Sequence, residues 1–328
     1  MVTTYGSIFS GAGGFDLGCD AAGWECKWQI EWDKKATGVL ERHWPNVERI
    51  TDVNDVDGSK LLPVDVITFG FPCQDLSIGG KQIGLDGERS GLFFEATRII
   101  REMREATNGQ YPRTIIIENV TGLLTANKGS AMGRCLDEVA KLGTVEIEWR
   151  VLDSQYFGVP QRRRRVFIVA NFNSREAGSS QILSKSESSN RHSGTGFKEG
   201  QGTTRTIKDS AESIAFVKVI RSGARDSEGN LPPEVWREEQ TSPTLTVCDN
   251  ASESRSTVLV VKPGSSVRRL TPRETERLQG WPDDHTRWDA NGKENADWVR
   301  YKMTGNGVAT PVARWVAEQV GKALEGAE

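Results

Sequence analysis

Along the first 170 residues, short apolar runs alternate with longer stretches in which apolar positions recur every three or four residues. That is the pattern of strands joined by helices, and hence of a mostly parallel sheet. The runs YGSIF, CKWQI, VDVITFG, RTIIIE and RVFIVA predict strands, and FDLGCDAAG, KKATGVLERHW, LFFEATRIIREMREA and AMGRCLDEVAKLG predict the helices between them. A Rossmann-like α/β layer structure follows. The pattern changes after Ala170. Residues 174–193 hold eight serines in twenty positions, and the chain stays polar and rich in Gly and Thr to 213, which gives it no core of its own. Beyond it, IAFVKVI, PTLTV and TVLVV, broken by Gly, Pro and Asp, predict a smaller, strand-rich, loop-heavy second domain. The segment TPVARWVAEQVGKALEGAE predicts an amphipathic helix with Pro311 near its first turn.

At 328 residues, 36% hydrophobic and 27% charged, the chain is about two domains long and can bury a sizeable core. The shift in pattern divides it into a first domain over 1–172, completed by the C-terminal helix within 300–328, and a second over 173–299. No apolar run approaches the roughly 20 residues that span a bilayer, and the opening MVTTYGSIFSGAGG carries no basic-then-apolar leader. A cytoplasmic protein without membrane association is expected. The five cysteines, Cys19, Cys26, Cys73, Cys135 and Cys248, are odd in number and never form CxxC, which argues against a disulfide framework and a zinc ribbon. The three histidines, His43, His192 and His285, stand far apart and leave little material for a metal site or a Ser-His-Asp triad. Metal-free chemistry is expected. With 42 Lys and Arg against 45 Asp and Glu, net charge -3, any nucleic-acid binding must rest on local clusters.

Four constellations carry candidate chemistry. Phe9-Ser10-Gly11-Ala12-Gly13-Gly14-Phe15 is a glycine-rich turn between strand and helix, where main chain can approach a nucleotide-sized ligand. It fails the fingerprint GxGxxG, because the third glycine falls on Asp16, and this disfavours an NAD-dependent oxidoreductase. At the end of the second strand, Glu31 offers a carboxylate for two ribose hydroxyls beside Trp32, an indole able to stack on adenine; the same residues also suit a plain βα turn with a packed Trp. Phe71-Pro72-Cys73-Gln74 follows an apolar strand directly and sets a thiol at the carboxyl edge of the sheet, a place for a nucleophile. The loop DLSIGGKQIGLDGERSG after it has too many glycines for a helix or strand and could close as a lid. Glu118-Asn119-Val120 ends the next strand, where a desolvated carboxyl can act as a general acid. In Gln161-Arg162-Arg163-Arg164-Arg165, strand alternation sends Arg163 and Arg165 to the side of Gln161, toward the pocket.

Taken together, FSGAGGF, FPCQDLS, ENV, QRRRR, RRLTPRETERLQGWP and YKMTGNGV resemble, in order and spacing and over nearly the whole chain, the motifs of bacterial and phage cytosine-C5 DNA methyltransferases. The resemblance implies an S-adenosyl-L-methionine (AdoMet) site lined by Phe9, Gly11, Gly13, Glu31, Trp32, Asp52, Leu92 and Asn306. It implies that Cys73 adds to cytosine C6 while Glu118 protonates or hydrogen-bonds N3, that Arg163 and Arg165 hold the base and its phosphate, and that Asn119 supports the loop near Cys73. The target base must leave its duplex for this chemistry. Double-stranded DNA is the implied partner, met by Gln74, Ser77, Arg89, Gln161, Thr244 and Leu245, with 173–299 as target recognition domain. A monomer on DNA and a cognate restriction endonuclease in the same restriction-modification system are further implied. Three positions depart from the family: Ser7 stands where many members carry Asp, Gly79 where some have Ser, and Gly307 where Ser or Ala commonly follows Asn, which would loosen the cofactor pocket. The rival readings are a tRNA cytosine-C5 methyltransferase and an inactive DNA-binding protein of the same fold; the long variable region from about 171 to 264 favours readout of duplex DNA.

Overall fold

The computed structural model describes residues 2–72, 91–173, 182–183, 214–218, 236–239, 241–245, 258–261 and 267–326. Cys73, Gln74, Ser77, Gly79 and Arg89, the rest of the glycine-rich loop to 90, and all of 174–213 except Ile182 and Leu183 lie outside them.

The alternation of runs yields β1 (Thr4–Ile8), α1 (Gly14–Ala21), β2 (Glu25–Ile30), α2 (Lys34–His43), β3 (Glu48–Ile50), β4 (Val66–Phe69), α3 (Gly91–Ala106) and β5 (Thr114–Val120). After them come α4 (Ser130–Lys141), β6 (Glu146–Asp153), β7 (Gln161–Arg162) and β8 (Arg164–Asn171). Seven of the strands form one sheet in the order β3-β2-β1-β4-β5-β8-β6. Its centre is buried on both faces, so β4 and β5 carry continuous apolar runs rather than alternation. In β5, Ile115 and Ile117 enter one core with Phe69, Phe93 and Ile99, while Ile116 enters the other with Tyr5, Phe167 and Val316.

The sequence pattern and the structure part in two places. β3 and β6 are additional strands; β6 lies at the sheet edge, half-exposed, and its mixture of charged and apolar residues hides it among surface segments. The sheet is also mixed, because β8 runs antiparallel to both β5 and β6. Local periodicity reports which positions are buried and carries no information on strand direction. The reversal has a consequence for the site: Arg165, near the start of β8, pairs with Val120 at the end of β5.

A second, antiparallel sheet follows the order β10-β9-β12-β13, from β9 (Ile214–Lys218), β10 (Trp236–Glu238), β12 (Val258–Val261) and β13 (Val267–Arg269). Only Ser242–Pro243 of PTLTV is a strand, β11, and it pairs with β7. Three helices follow: α5 (Pro272–Leu278), α6 (Asp297–Asn306) and α7 (Thr310–Glu325). The string TPRE starts α5 with a capping box, the Thr271 hydroxyl accepting from Glu274 N and the Glu274 carboxylate from Thr271 N, with Pro272 at the first helical position. Helix α7 brings Val312, Val316 and Val320 back into the second core and packs on α1 so closely that a Cβ on Gly18 would stand 2.5 Å from Ala313 Cβ. Among the described residues no helix is long and apolar enough to cross a membrane.

Candidate active site

The turn after β1 reverses the chain through left-handed residues, with φ of 57° at Phe9, 57° at Gly11 and 82° at Gly13. Ser10 N donates to Ile30 O at 3.2 Å, so the turn rides on the end of β2. Glu31 then ties it to α2: one carboxylate oxygen accepts from Gly11 N and the other from Asp33 N, both at 2.7 Å. Burial raises the pKa of the Glu31 carboxyl, and these two N–H groups offset that only in part. A Cβ on Gly11 would meet nothing within 4 Å, so its main chain faces open space. Trp32 is 69% exposed. Asp52 is fixed by accepting from Asn54 N at 2.9 Å and Asn54 Nδ2 at 2.7 Å.

With Leu92 of α3 and Asn306 at the end of α6, these residues enclose a cavity of about 720 Å³. Phe9, Gly11, Glu31, Trp32, Asp52, Leu92 and Asn306 all line it. Gly13 lies beneath the turn instead, where a Cβ would stand 2.4 Å from the Trp44 ring. The sequence reading missed Asp33 and Lys302, which also line the cavity and join across it in a 2.6 Å ion pair. Asp33 was findable as the N-cap of α2, accepting from Lys35 N at 2.8 Å; Lys302 falls within the motif YKMTGNGV, from which only Asn306 was singled out for this wall.

The same cavity reaches the carboxyl ends of β4 and β5, where Phe71, Pro72, Glu118, Asn119 and Arg165 stand. Glu118 is 8% exposed and its carboxylate meets Arg165 Nε at 3.1 Å. Burial raises its pKa, and the opposing Arg165 and Arg163 charges only partly offset that. Gly70 leaves room for it: a Cβ there would come 3.1 Å from Glu118 Oε2. Asn119 Nδ2 donates to Phe71 O at 3.1 Å, which fixes the main chain two residues before Cys73. Alternation in the arginine run is as expected for burial, with Gln161 and Arg163 buried and Arg162 and Arg164 exposed.

Three of the predicted residues are held by hydrogen bonds within the fold. Arg163 lines the cavity, but its guanidinium is 2% exposed and donates to the main-chain carbonyls of Leu245 at 3.1 Å, Gly305 at 3.1 Å and Gly307 at 2.6 Å. These bonds hold three chain segments together. Gln161 is fully buried, donating to Leu278 O at 2.9 Å and accepting from Leu245 N. The Leu245 side chain is 3% exposed and points inward, while Thr244 Oγ1 donates to Arg162 O at 2.7 Å.

Two of the unusual positions are compensated from elsewhere. The space beside Gly307 is filled by Trp281, whose Cζ2 lies 2.2 Å from where a Cβ would be, so the glycine does not loosen the pocket. Ser7 turns its hydroxyl to Asp16 Oδ2 at 3.3 Å, and Gln29 Nε2 donates to Asp16 Oδ1 at 2.8 Å. A carboxyl therefore sits under the turn at 16 instead of within it at 7. Burial pushes Asp16 up to about 7.

Comparison with known proteins places the chain in a family. The profile of the C-5 cytosine-specific DNA methylase family matches residues 3–322. The Type II methyltransferase M2.BsuMI of Bacillus subtilis is 30% identical over 96% of this chain and 74% of its own length. The Type II methyltransferase M.HhaI of Haemophilus parahaemolyticus is 25% identical over 97% of this chain and 94% of its own. Among solved structures, the Entamoeba histolytica methyltransferase EhMeth superposes with a TM-score of 0.67 at 13% identity, covering 99% of each chain.

Proposed function

The chain belongs to the C-5 cytosine-specific DNA methylase family, a DNA cytosine-5 methyltransferase that takes its methyl group from AdoMet, and from that premise we propose how its residues divide the work. M2.BsuMI, M.Bsp6I and M.HhaI, which each match over 96–97% of this chain, are Type II methyltransferases, which favours DNA over tRNA as substrate.

The observation that carries the proposal is the continuity of one cavity from the Gly11-Glu31-Trp32 wall to Glu118 and Arg165. At the first end, the open main chain at Gly11, the buried Glu31 carboxylate and the exposed Trp32 indole fit an adenosine: N–H groups and carboxylate for the ribose side, indole for the adenine face. Asp52, Leu92, Phe9 and Asn306 complete that wall, with Gly13 shaping the turn from below. AdoMet bound there supplies an electrophilic sulfonium methyl.

At the second end, C5 of cytosine is a poor nucleophile until the ring is altered. The Cys73 thiolate adds to C6 while the Glu118 carboxyl gives a proton or hydrogen bond to N3, so that the electron pair pushed in at C6 appears at C5. C5 takes the methyl group as the S–CH3 bond of the sulfonium breaks and its electron pair stays on sulfur as a neutral thioether. A base then removes the C5 proton, the C6–S bond breaks to return the Cys73 thiolate, and N3 gives its proton back to Glu118, which restores the aromatic ring. Burial raises the Glu118 pKa, so the carboxyl gives and takes that proton more readily than an exposed glutamate would. Arg165 keeps the carboxyl aimed, and Asn119 holds the backbone that presents Cys73. Arg163 acts as a brace.

The sheet β10-β9-β12-β13 and its flanking loops form the target recognition part, with Gln74, Ser77, Arg89 and Thr244 at the DNA surface. The enzyme works as a monomer on DNA in the cytoplasm, alongside a cognate restriction endonuclease. The test is covalent trapping: with AdoMet and duplexes carrying 5-fluorocytosine, the native protein should form a denaturation-resistant adduct at residue 73, and Cys73→Ser should bind AdoMet yet form none. A methylating protein whose adduct maps elsewhere, or a Cys73→Ser variant that still turns over, overturns these roles.

A further inference from the structure

Two of the three histidines, 242 positions apart in sequence, meet in the fold under the cofactor turn. The His43 and His285 rings stack with centroids 4.1 Å apart and planes 18° from parallel. His43 Nε2 is 2.9 Å from His285 O, and His285 Nε2 is 2.7 Å from the main-chain oxygen of Ala12. Trp44 and Trp281 meet the His285 ring edge-on, at 6.2 Å and 5.4 Å. His285 is 2% exposed and Ala12 equally so.

Ala12 stands between Gly11 and Gly13, both in the left-handed region. Peptides flanked by glycines reorient at little cost, so the peptide after Ala12 needs an outside restraint to keep one orientation. The other turn contacts restrain different groups: Gly11 N is held by Glu31, Ser10 N by Ile30 O, and Gly13 N by Ser10 O. The Ala12 oxygen is held by His285. Because a carbonyl only accepts, that bond requires a proton on Nε2. Nδ1 is buried and has no hydrogen-bond partner among the described residues. A neutral ring with its single proton on Nε2 satisfies both facts, and burial, which depresses the His285 pKa to about 4, keeps the ring neutral.

The ring itself is set by ionic groups farther out. Glu276, fully buried between α5 and α6, accepts from Asp284 N at 2.8 Å, from Thr286 N at 3.0 Å and from the Thr286 hydroxyl, and pairs with Arg300 at 3.0 Å. These bonds fix the residues on both sides of His285. Support therefore runs from the Arg300–Glu276 pair through His285 to the turn that faces the cavity.

We propose that His285 is a positioning residue for the methyl donor, its neutral imidazole pinning the Ala12 carbonyl so that the glycine turn keeps its AdoMet-accepting shape. This rests on the reading of that turn as part of the AdoMet site.

The test is calorimetric titration of AdoMet into the full chain, with steady-state kinetics beside it. Wild type should bind; a folded wild-type protein that does not bind AdoMet refutes the site reading itself and this inference with it. His285→Phe keeps the stacked ring and removes the donor. It should weaken AdoMet binding about tenfold, the loss expected if the turn holds its binding shape about a tenth of the time. KM for AdoMet should rise in step, with kcat at saturating AdoMet and KM for DNA within about twofold of wild type. His285→Gln, which can place an N–H near the same point, should recover most of the affinity. Wild-type binding with unchanged AdoMet affinity in His285→Phe, equal losses in kcat and both KM values, or a Gln variant as impaired as Phe overturns the inference while leaving the site intact. If His285→Phe does not fold, ¹⁵N spectra of wild-type histidine side chains at pH 7 decide: a neutral Nε2–H tautomer at His285 upholds the pin, and an Nδ1–H or cationic ring overturns it.

Discussion

Gly307→Ala measures how tightly the far end of the chain is fitted to the cofactor wall. The backbone at Gly307, φ -70° and ψ 162°, is open to any residue, so the demand for glycine comes wholly from its neighbour. A Cβ would sit 2.2 Å from Trp281 Cζ2, whereas carbon atoms in contact rest about 3.5–4.0 Å apart, so the ring would have to retreat by about 1.3 Å or more. It has nowhere to go. Trp281 is 3% exposed, a Cβ on Gly14 would stand 2.7 Å from the same ring atom, and the indole N–H is bound to Val308 O at 3.0 Å. Overpacking of this kind costs about 1–3 kcal/mol, a sizeable part of a total stability of about 5–15 kcal/mol. The variant should melt several degrees lower in urea-matched thermal scans and show a raised KM for AdoMet, since Gly307 lines the cavity. Trp281→Phe alone should also destabilise, by leaving a void and losing the Val308 bond. The double variant should lose less than the two single losses combined, with a coupling of about 1–2 kcal/mol, because the smaller ring vacates the space the new methyl needs. Wild-type stability in Gly307→Ala, or strict additivity in the cycle, would refute the reasoning.

Glu118→Gln should lower turnover about a hundredfold or more while duplex affinity stays within a few-fold, measured by tritium transfer and by gel shift; equal losses would remove Glu118 from the proton-donor role. Asp16→Asn tests the buried carboxyl beneath the turn. In the unfolded chain Asp16 ionises near 3.8, but in the fold it keeps its proton to about 7, so it draws stability from the protein progressively across that interval and fully above it. The Asn variant should therefore be more stable than wild type at pH 8, by roughly 2–4 kcal/mol, with the gap closing toward pH 4. A gap that does not depend on pH would show that Asp16 does not titrate as its burial implies.

The parallel part of the sheet was legible because strands such as RTIIIE, buried on both faces, leave unbroken apolar runs. That Gly11 and Glu31 share one cavity was legible for a related reason: both fall at strand ends, where position along the chain nearly fixes position in space. What stayed hidden depends on distant partners. The direction of β8, the Trp281 ring filling the gap at Gly307, and the meeting of His43 with His285 are relations between segments far apart in sequence, and no local pattern encodes them. Arg163 shows the limit most clearly. Alternation placed it on the inner side, as observed, but its three carbonyl partners come from residues 245, 305 and 307, and only they reveal a brace.

The cavity is walled in part by residues 7–12, 14 and 15 and, across from them in the sequence, by residues 302, 303 and 305–308. A fragment that stops short of Lys302 lacks one of these walls and a fragment that starts after Phe15 lacks the other, so neither piece closes the cavity alone. The same stitching makes the enzyme a natural candidate for splitting: two halves, cut in the polar stretch after Asn173, would each be inert and would regain activity only on reassembly.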